Sequence, residues 1–401
     1  TFLHRMGQLS LARVSTPMAL NLAAMGEAAA STANDYKALV CVFLYGGNDY
    51  ANTVITYDDA SHAQYARIRA AGAGSAAGNM VISKEALQPT LLRPHQALPN
   101  GRAYALHPSM GGLAQLFNDG KAAIQLNVGP LVVPLTRGQY NSGNTQRYPL
   151  PPKLFSHNDQ QSVWQSLSPE GSTVGWGGRL GDQVMSNNTE SLFTCISITG
   201  NSVFLSGNQA LQYQCSASGA IPVKPLQPQD WMMPNANKRQ VFMVSLGGFD
   251  LHDNLVSKQP GLLREVDTAL TSFFKATEEL GVSDQVTTFT ASDFGRTLTS
   301  NGDGSDHGWG SHHFVMGGGL KGAQFYGEAP PVSAGDSNSA EDQWHVGQGR
   351  LLPRTSTDQF AATLARWFGV PEQDLRWILP NLKNFGAQAG RPDYPTDLGY
   401  F

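Results

Sequence analysis

The amino-acid sequence predicts an α/β protein built on a mainly parallel sheet. Near-continuous apolar runs at 38–45 (ALVCVFLY), 122–128, 239–246 (RQVFMVSL) and 286–291 have the β-branched and aromatic content of strands buried on both faces. Amphipathic stretches lie between them. In 261–280, Leu262, Val266, Ala269, Leu270, Phe273, Phe274 and Leu280 recur at helical spacing, with charges between. Strand, crossover helix and strand therefore alternate, which in one sheet means parallel neighbours.

Each element has a local reason. The first strand run stops at Gly46-Gly47-Asn48-Asp49, a sharp turn carrying a carboxylate. Residues 58–99 are polar and alanine-rich, helical with loops. His107-Pro108-Ser109 signals a helix to about Asp119, with Ser109 as its N-cap. A Pro-, Gly- and Asn-rich loop over 129–152 delivers the chain to Ser156 and His157. Short strand-like pieces after Glu190 predict a peripheral insertion around 185–235. RQVFMVSL ends, like the first run, in Gly-Gly and an acid: Gly247-Gly248-Phe249-Asp250, then His252. A helix over 357–368 puts Phe360, Leu364 and Trp367 on one face and stops at Gly369; Pro371 opens a short helix that Pro380 limits.

Composition narrows the classes. Hydrophobic residues make up 41% and charged residues 14%, as in a globular chain with a large core. The net charge of −4 and the lack of a basic run argue against nucleic acid as partner. No apolar stretch has the length of a membrane span. Cys41 reads as a core residue. Cys195 and Cys215 flank a glycine-punctuated segment and either pair as a hairpin staple or stay free. The first 31 residues have early basic residues (His4, Arg5, Arg13), an apolar stretch from Met18 to Met25, and Ala28, Ala29 and Ala30 at the close. That is the profile of an export signal, and the opening Thr1-Phe2-Leu3 resembles the tail of a twin-arginine motif. The expectation is a periplasmic or secreted protein whose segment 1–31 is cleaved, or is retained and used in self-assembly, followed by a single α/β domain over 32–401.

The chemistry concentrates in 287–319. Asp293 ends a strand run; Asp306, His307, His312 and His313 follow before a second apolar run, 314–316. Asp49, Asp250 and Asp293 all end strand runs, so a parallel sheet places them on one edge. Converging carboxylates repel unless cations or protons lie between them. With His252, His307, His312 and His313 they suit a divalent metal (Zn, Mn, Mg or Ca), as one ion or two. Two ions would let the site hold a small anionic phosphate or sulfate ester. Ser156 or Thr53 would supply a hydroxyl, with Ser156 preferred for its neighbour His157, and Arg296 would meet the substrate's charge. No G-x-S-x-G elbow, dinucleotide fingerprint or P-loop follows any strand run.

The motifs FLYGGNDYANTV, LFSHNDQQ, GWGGRL, GGFDLHDN, SDFGRTLTSNGDGSDHGWGSHHFVMGG and LLPRTSTDQFAATLARWFGV together resemble an exported bacterial family, domain of unknown function 1501, grouped with the alkaline phosphatase and sulfatase superfamily. The resemblance runs from about Lys37 to Phe385. It implies a doubly wound, alkaline phosphatase-like core with helices on both faces, twin-arginine export and a two-metal hydrolase site. Asp49 resembles the first-strand metal acid, and Ser156, followed by His157, the nucleophile position. Asp250 and His252 resemble ligands of one metal, Asp293 the acid at the other, and His312 or His313 the last imidazole. The superfamily usually has His directly after that later acid. This chain has Phe294 there and its Asp-His pair, Asp306-His307, further on. The alternative is a catalytically degenerate protein that keeps the fold for binding or assembly.

Overall fold

The computed structural model describes residues 36–70, 79–188, 190–216, 219–220 and 238–401. The signal-like segment 1–31, with its expected role in self-assembly, lies outside these residues, as does 221–235 of the expected insertion.

In chain order the strands are β1 (Lys37–Leu44), β2 (Val54–Thr56), β3 (Tyr104–Leu106), β4 (Ala122–Gly129), β5 (Cys195–Ser197), β6 (Gln212–Ser216), β7 (Gly219–Ala220), β8 (Arg239–Leu246), β9 (Val286–Ser292), β10 (Ser311–Gly317), β11 (Phe325–Tyr326) and β12 (Thr355–Ser356). The central sheet has the order β11-β4-β10-β9-β1-β8-β5-β6-β7, with β12 also beside β4; β2 and β3 form a separate pair. β1 is parallel to β8 and β9, and β5 is parallel to β8 and β6. β10 runs against both β9 and β4, so its first residues lie at the edge where β1, β8 and β9 end.

The expected strand runs at 38–45, 122–128, 239–246 and 286–291 appear as β1, β4, β8 and β9, within one residue at each end. β1 explains why: all but its first residue is buried. Leu39, Cys41 and Phe43 enter one apolar cluster, while Ala38, Val40, Val42 and Leu44 enter the other, the two-residue alternation of a strand. Helices cover both faces. On one side are α2 (Gly111–Asn118) and α5 (Leu255–Glu279), through Leu113, Phe117, Val266, Leu270 and Phe273. On the other are α4 (Trp176–Val184), α6 (Thr357–Phe368) and α7 (Glu372–Ile378), through Leu180, Phe360, Leu364 and Leu375. The fold is therefore α/β and doubly wound. Each such fully buried side chain contributes about 1.5–3 kcal/mol. α6 starts at a capping box on Ser356 and ends on Gly369 at φ +105°, a conformation that favours glycine. Among the described residues no helix is long and apolar enough to cross a membrane.

Three local expectations change. β10 begins at Ser311, before the apolar run that marks it, because Ser311 and His313 pair with Val128 and Gln125 of β4. The helix expected to have Ser109 as its N-cap starts one residue later, at Gly111, and the residue at its cap, Met110, makes no side-chain cap bond. Cys195 and Cys215 do not form a staple. Their strands are parallel neighbours in which Cys195 faces Gln212, and the two thiols pack against opposite faces of the sheet, both free.

Candidate metal centre

The loops after β1, β8 and β9 meet where an open α/β sheet leaves a crevice, at the carboxyl edge of its strands. The register makes them level: Leu44 pairs with Leu246 on one side and Ser292 on the other. Gly46 then ties the three ends together. Its N–H donates to Asp293 Oδ1 (3.1 Å) and its carbonyl accepts from Arg296 Nη1 (3.1 Å). Its φ is +115°, and a Cβ there would lie 2.2 Å from the Asp250 amide nitrogen, so the close approach needs glycine. The loop after β9 doubles back on itself. Arg296 and His307 form an antiparallel bridge, with Gly295 N–H bonded to the Trp309 carbonyl (3.0 Å) and Thr297 N–H to the Asp306 carbonyl (2.9 Å). This return carries His307 onto the strand ends. The fourth contributor is α3 (His157–Ser166), whose first residue points at them.

Asp250 is the centre. Its Oδ1 lies 3.1 Å from His252 Nε2, 3.2 Å from His307 Nε2 and 2.6 Å from Arg296 Nη1; its Oδ2 lies 3.4 Å from His157 Nε2. The far nitrogen of each imidazole is held from behind. His157 Nδ1 meets Asp293 Oδ2 at 2.6 Å, His252 Nδ1 meets Asp306 Oδ1 at 3.2 Å, and His307 Nδ1 meets the Phe155 carbonyl at 2.7 Å. Carboxylates and carbonyls only accept, so each Nδ1 carries the proton and each neutral ring keeps its lone pair on Nε2. Gln161 Nε2 donates to Asp293 Oδ2 (2.7 Å) and Asn301 Nδ2 to Asp306 Oδ1 (2.7 Å), which fix the two backing acids.

Three lone pairs and a carboxylate oxygen thus face one another. His252 Nε2 and His307 Nε2 are 2.9 Å apart, and His157 Nε2 is buried with no hydrogen-bond partner. Ligand atoms of His157, Asp250 and His307 all lie within 4.8 Å of one another. Such a set could hold a cation. A shared proton joins two atoms in line and does not serve all of them, and burial holds the His307 pKa below its usual value. A tetrahedral Zn²⁺ site has ligand atoms about 3.3 Å apart and hydrogen-bonded outer imidazole nitrogens. The hydrogen-bonded outer nitrogens meet the second condition, and His157, Asp250 and His307 are close enough to share one ion. Burial works against the charge of Asp250, but the hydrogen bond and charge of Arg296, with His252 and His157, outweigh it and lower its pKa. The His157 pKa is raised, chiefly by its bond to Asp293.

The structure distributes the sequence-predicted residues differently from the expectation. Asp250, His252 and His307 face the centre, joined by His157. Asp293 and Asp306 belong to it as acceptors behind His157 and His252. Asp49 does not face it: a buried bidentate pair with Arg69 (2.7 and 2.9 Å), the Ser305 hydroxyl (2.8 Å) and the Asn52 N–H (3.0 Å) take up its oxygens. Arg69 comes from α1 (Asp59–Ala70) in the alanine-rich region. Arg296 cannot hold a substrate's charge, because it is fully buried and bonded to the Gly46 carbonyl, Asp250 and both oxygens of Ser305. Ser156 sits at the N-cap position of α3, and its hydroxyl is committed to Asp159 Oδ2 (2.8 Å). Thr53 is buried, with its hydroxyl on the Asp49 carbonyl (2.7 Å).

His312 and His313 are not at the centre either. Both lie inside β10, where alternation sends them into opposite buried faces. His312 Nδ1 accepts from the Asn127 N–H (3.0 Å), and its ring packs edge-on against Tyr50. His313 packs edge-on against Trp164, with Nδ1 3.3 Å from the Thr290 hydroxyl. Burial pushes each pKa down to about 3. Phe294 stands where an imidazole was expected and packs its ring against His157 and His307, with centroids 4.9 and 4.6 Å away. Sequence reasoning missed Gln161, Arg69 and the Phe155 carbonyl. Gln161 had a signal, since it follows His157 by one helical turn and shares its face; the other two had none.

An α/β sheet with a histidine-carboxylate cluster at its carboxyl edge is the class of protein this defines. Residues 232–376 match the family model described as "Protein of unknown function (DUF1501)", the family that the chain's motifs resemble. No curated protein sequence matches the chain. Among solved structures, Ps i-CgsB in complex with k-i-k-neocarrahexaose is similar at 10% identity and a TM-score of 0.37, over 90% of this chain and 77% of that one. The C-terminal periplasmic domain of EptC from Escherichia coli, in complex with Zn, is similar at 9% identity and a TM-score of 0.38, over 84% of each chain. A protein in the alkaline phosphatase superfamily from Vibrio parahaemolyticus is similar at 9% identity and a TM-score of 0.38, over 88% of this chain and 75% of that one. Likeness at this level assigns no role to any residue here.

Proposed function

We propose that this protein is an exported, metal-dependent hydrolase of phosphate or sulfate esters. The observation that carries the reading is the convergence of the Nε2 atoms of His157, His252 and His307 on Asp250, with each Nδ1 proton already committed to another acceptor. These four residues would hold one divalent ion. A bound ion of this kind supplies Lewis acidity and a nucleophilic water at neutral pH. Within the chain, Asp293, Asp306 and the Phe155 carbonyl orient the three rings, and Arg296 fixes Asp250. Phe294 shields the imidazoles on one side, which strengthens their interactions with a cation. A second ion would need Asp49, whose charge Arg69 already balances. The attacking group in this scheme is water, since Ser156 is turned toward Asp159.

The test is metal content with turnover. Native protein is expected to carry one ion per chain. It should hydrolyse 4-nitrophenyl phosphate or 4-nitrophenyl sulfate, and lose that activity with chelator. Metal-free native protein that does not regain an ion on adding Zn²⁺ or Mn²⁺ would end the proposal. A second reading, a non-catalytic protein with a binding or assembly role, draws on the Phe294 substitution and the pairing of Asp49 with Arg69. A bound metal without turnover of either ester would favour it. Export rests on segment 1–31, and the intact mass of the native protein, with its compartment, tests it.

A further inference from the structure

With Arg296 sealed behind Asp250, the centre needs another cation to meet an anionic ester. We propose that Arg350 receives the anionic group of the substrate. The placement rests on the hydrolase reading above; the binding itself does not. Arg350 Nε donates to the His307 carbonyl (2.7 Å), and its guanidinium carbon lies 5.3 Å from the centre of the Phe155 ring. Both anchors are parts of the centre: His307 offers Nε2 to it, and the Phe155 carbonyl holds the other nitrogen of the same ring. Arg350 also lies close enough to Asp306 to interact with its charge, and near the Tyr140 ring. Its two Nη groups make no hydrogen bond among the described residues and are not buried, so they face solvent.

That is the reverse of the two fully buried arginines. Arg69 and Arg296 are bonded to carboxylates on their Nη groups. Arg350 is held along its Nε edge and its flat face, and keeps its fork free. A guanidinium fixed in this way loses little entropy on taking two oxygens of a tetrahedral oxyanion. Tyr140, whose ring is near Arg350, lines an open groove of about 640 Å³ together with Asn141, Thr145, Leu150, Lys153 and Leu154, the last adjoining Phe155 in the chain. The groove is large enough for the organic part of a monoester whose charged end reaches Arg350. The ligand class is therefore a phosphate or sulfate monoester, bound with its leaving group along residues 140–154.

The experiment compares the full chain with Arg350→Met and Arg350→Lys. Inorganic phosphate and inorganic sulfate are titrated separately by calorimetry, and whichever the wild type binds names the oxyanion. Turnover of the matching 4-nitrophenyl ester is measured beside neutral 4-nitrophenyl acetate. Arg350→Met is expected to weaken oxyanion binding and raise KM for the anionic ester by about tenfold to a hundredfold. Change in kcat should be small, the neutral ester should be unaffected, and metal content and Tm should be kept; Lys should recover part of the loss. Wild-type-like oxyanion binding in Arg350→Met would overturn the proposal. So would loss of metal or of folded structure in both variants, and so would failure of the wild type to bind either oxyanion. Arg350-dependent oxyanion binding in a protein with no metal and no turnover would sink the hydrolase reading and leave this one standing.

Discussion

His307 and His312 lie on one short stretch of chain, yet they meet opposite fates. His307 is on the returning arm of a loop, its Nδ1 held by a carbonyl and its Nε2 aimed at Asp250. His312 is the second residue of β10, buried beside Tyr50, with Nδ1 accepting a backbone N–H. The difference is which nitrogen carries the proton and what surrounds the other. A ring whose Nδ1 donates to an acceptor presents Nε2 as a lone pair; a ring whose Nδ1 accepts carries its proton on Nε2 and has nothing to give a metal. The same residue type is therefore a candidate ligand in the loop and a packing residue in the strand.

The contrast is most easily broken at the loop. Asp250→Asn or His307→Ala should cost the bound metal outright, read as metal content after dialysis; the thermal unfolding of the metal-free protein should change little in His307→Ala, and fall in Asp250→Asn, which leaves the buried Arg296 without its carboxylate. If either variant keeps a full complement of metal, the loop and the strand do not differ as argued. At the strand the effects reverse. His312→Ala should leave metal content intact and lower stability by about 2–4 kcal/mol, measured by urea unfolding, through the cavity it opens. The strand histidines also set a pH dependence. Burial holds their folded pKa values at about 3, against 6.5 for the ordinary imidazole. Below 6.5 the unfolded chain binds protons that the native state refuses, so their contribution is full above that pH and is lost as pH falls toward about 3. His313→Gln should flatten that part of the stability profile.

Smaller effects sharpen the comparison. Asp293→Asn keeps a carbonyl near His157 but loses the charge that holds its Nδ1 proton. It should weaken metal affinity about ten- to a hundredfold without unfolding the protein, as a competition titration with a chelator would record. Ser156→Ala should do least. Turnover should be unchanged and stability should fall by no more than about 1 kcal/mol, since the hydroxyl bonds only Asp159 and makes no cap bond. Loss of turnover in Ser156→Ala with metal retained would return Ser156 to the role of nucleophile and remove water from it.

What the sequence determined by itself is the sheet and the neighbourhood of the site. Runs such as ALVCVFLY and RQVFMVSL have no polar face to turn to water, so they become inner strands whatever surrounds them, and a parallel sheet then gathers Asp250, Asp293 and the Gly46 turn at one edge. Which acid meets which base was not legible. Asp49, Asp250 and Asp293 look alike as strand-end carboxylates, but Arg69 reaches Asp49 from a helix that carries no sign of it, and the loop after β9 folds back to bring Arg296 and His307 onto Asp250. The histidines divide for the same reason. Backbone pairing with β4 extends β10 through His312 and His313, past the apolar residues that announce a strand. Hydrophobic periodicity is a local property of the chain, whereas hydrogen-bond and charge pairing depend on partners that only the tertiary structure brings within reach.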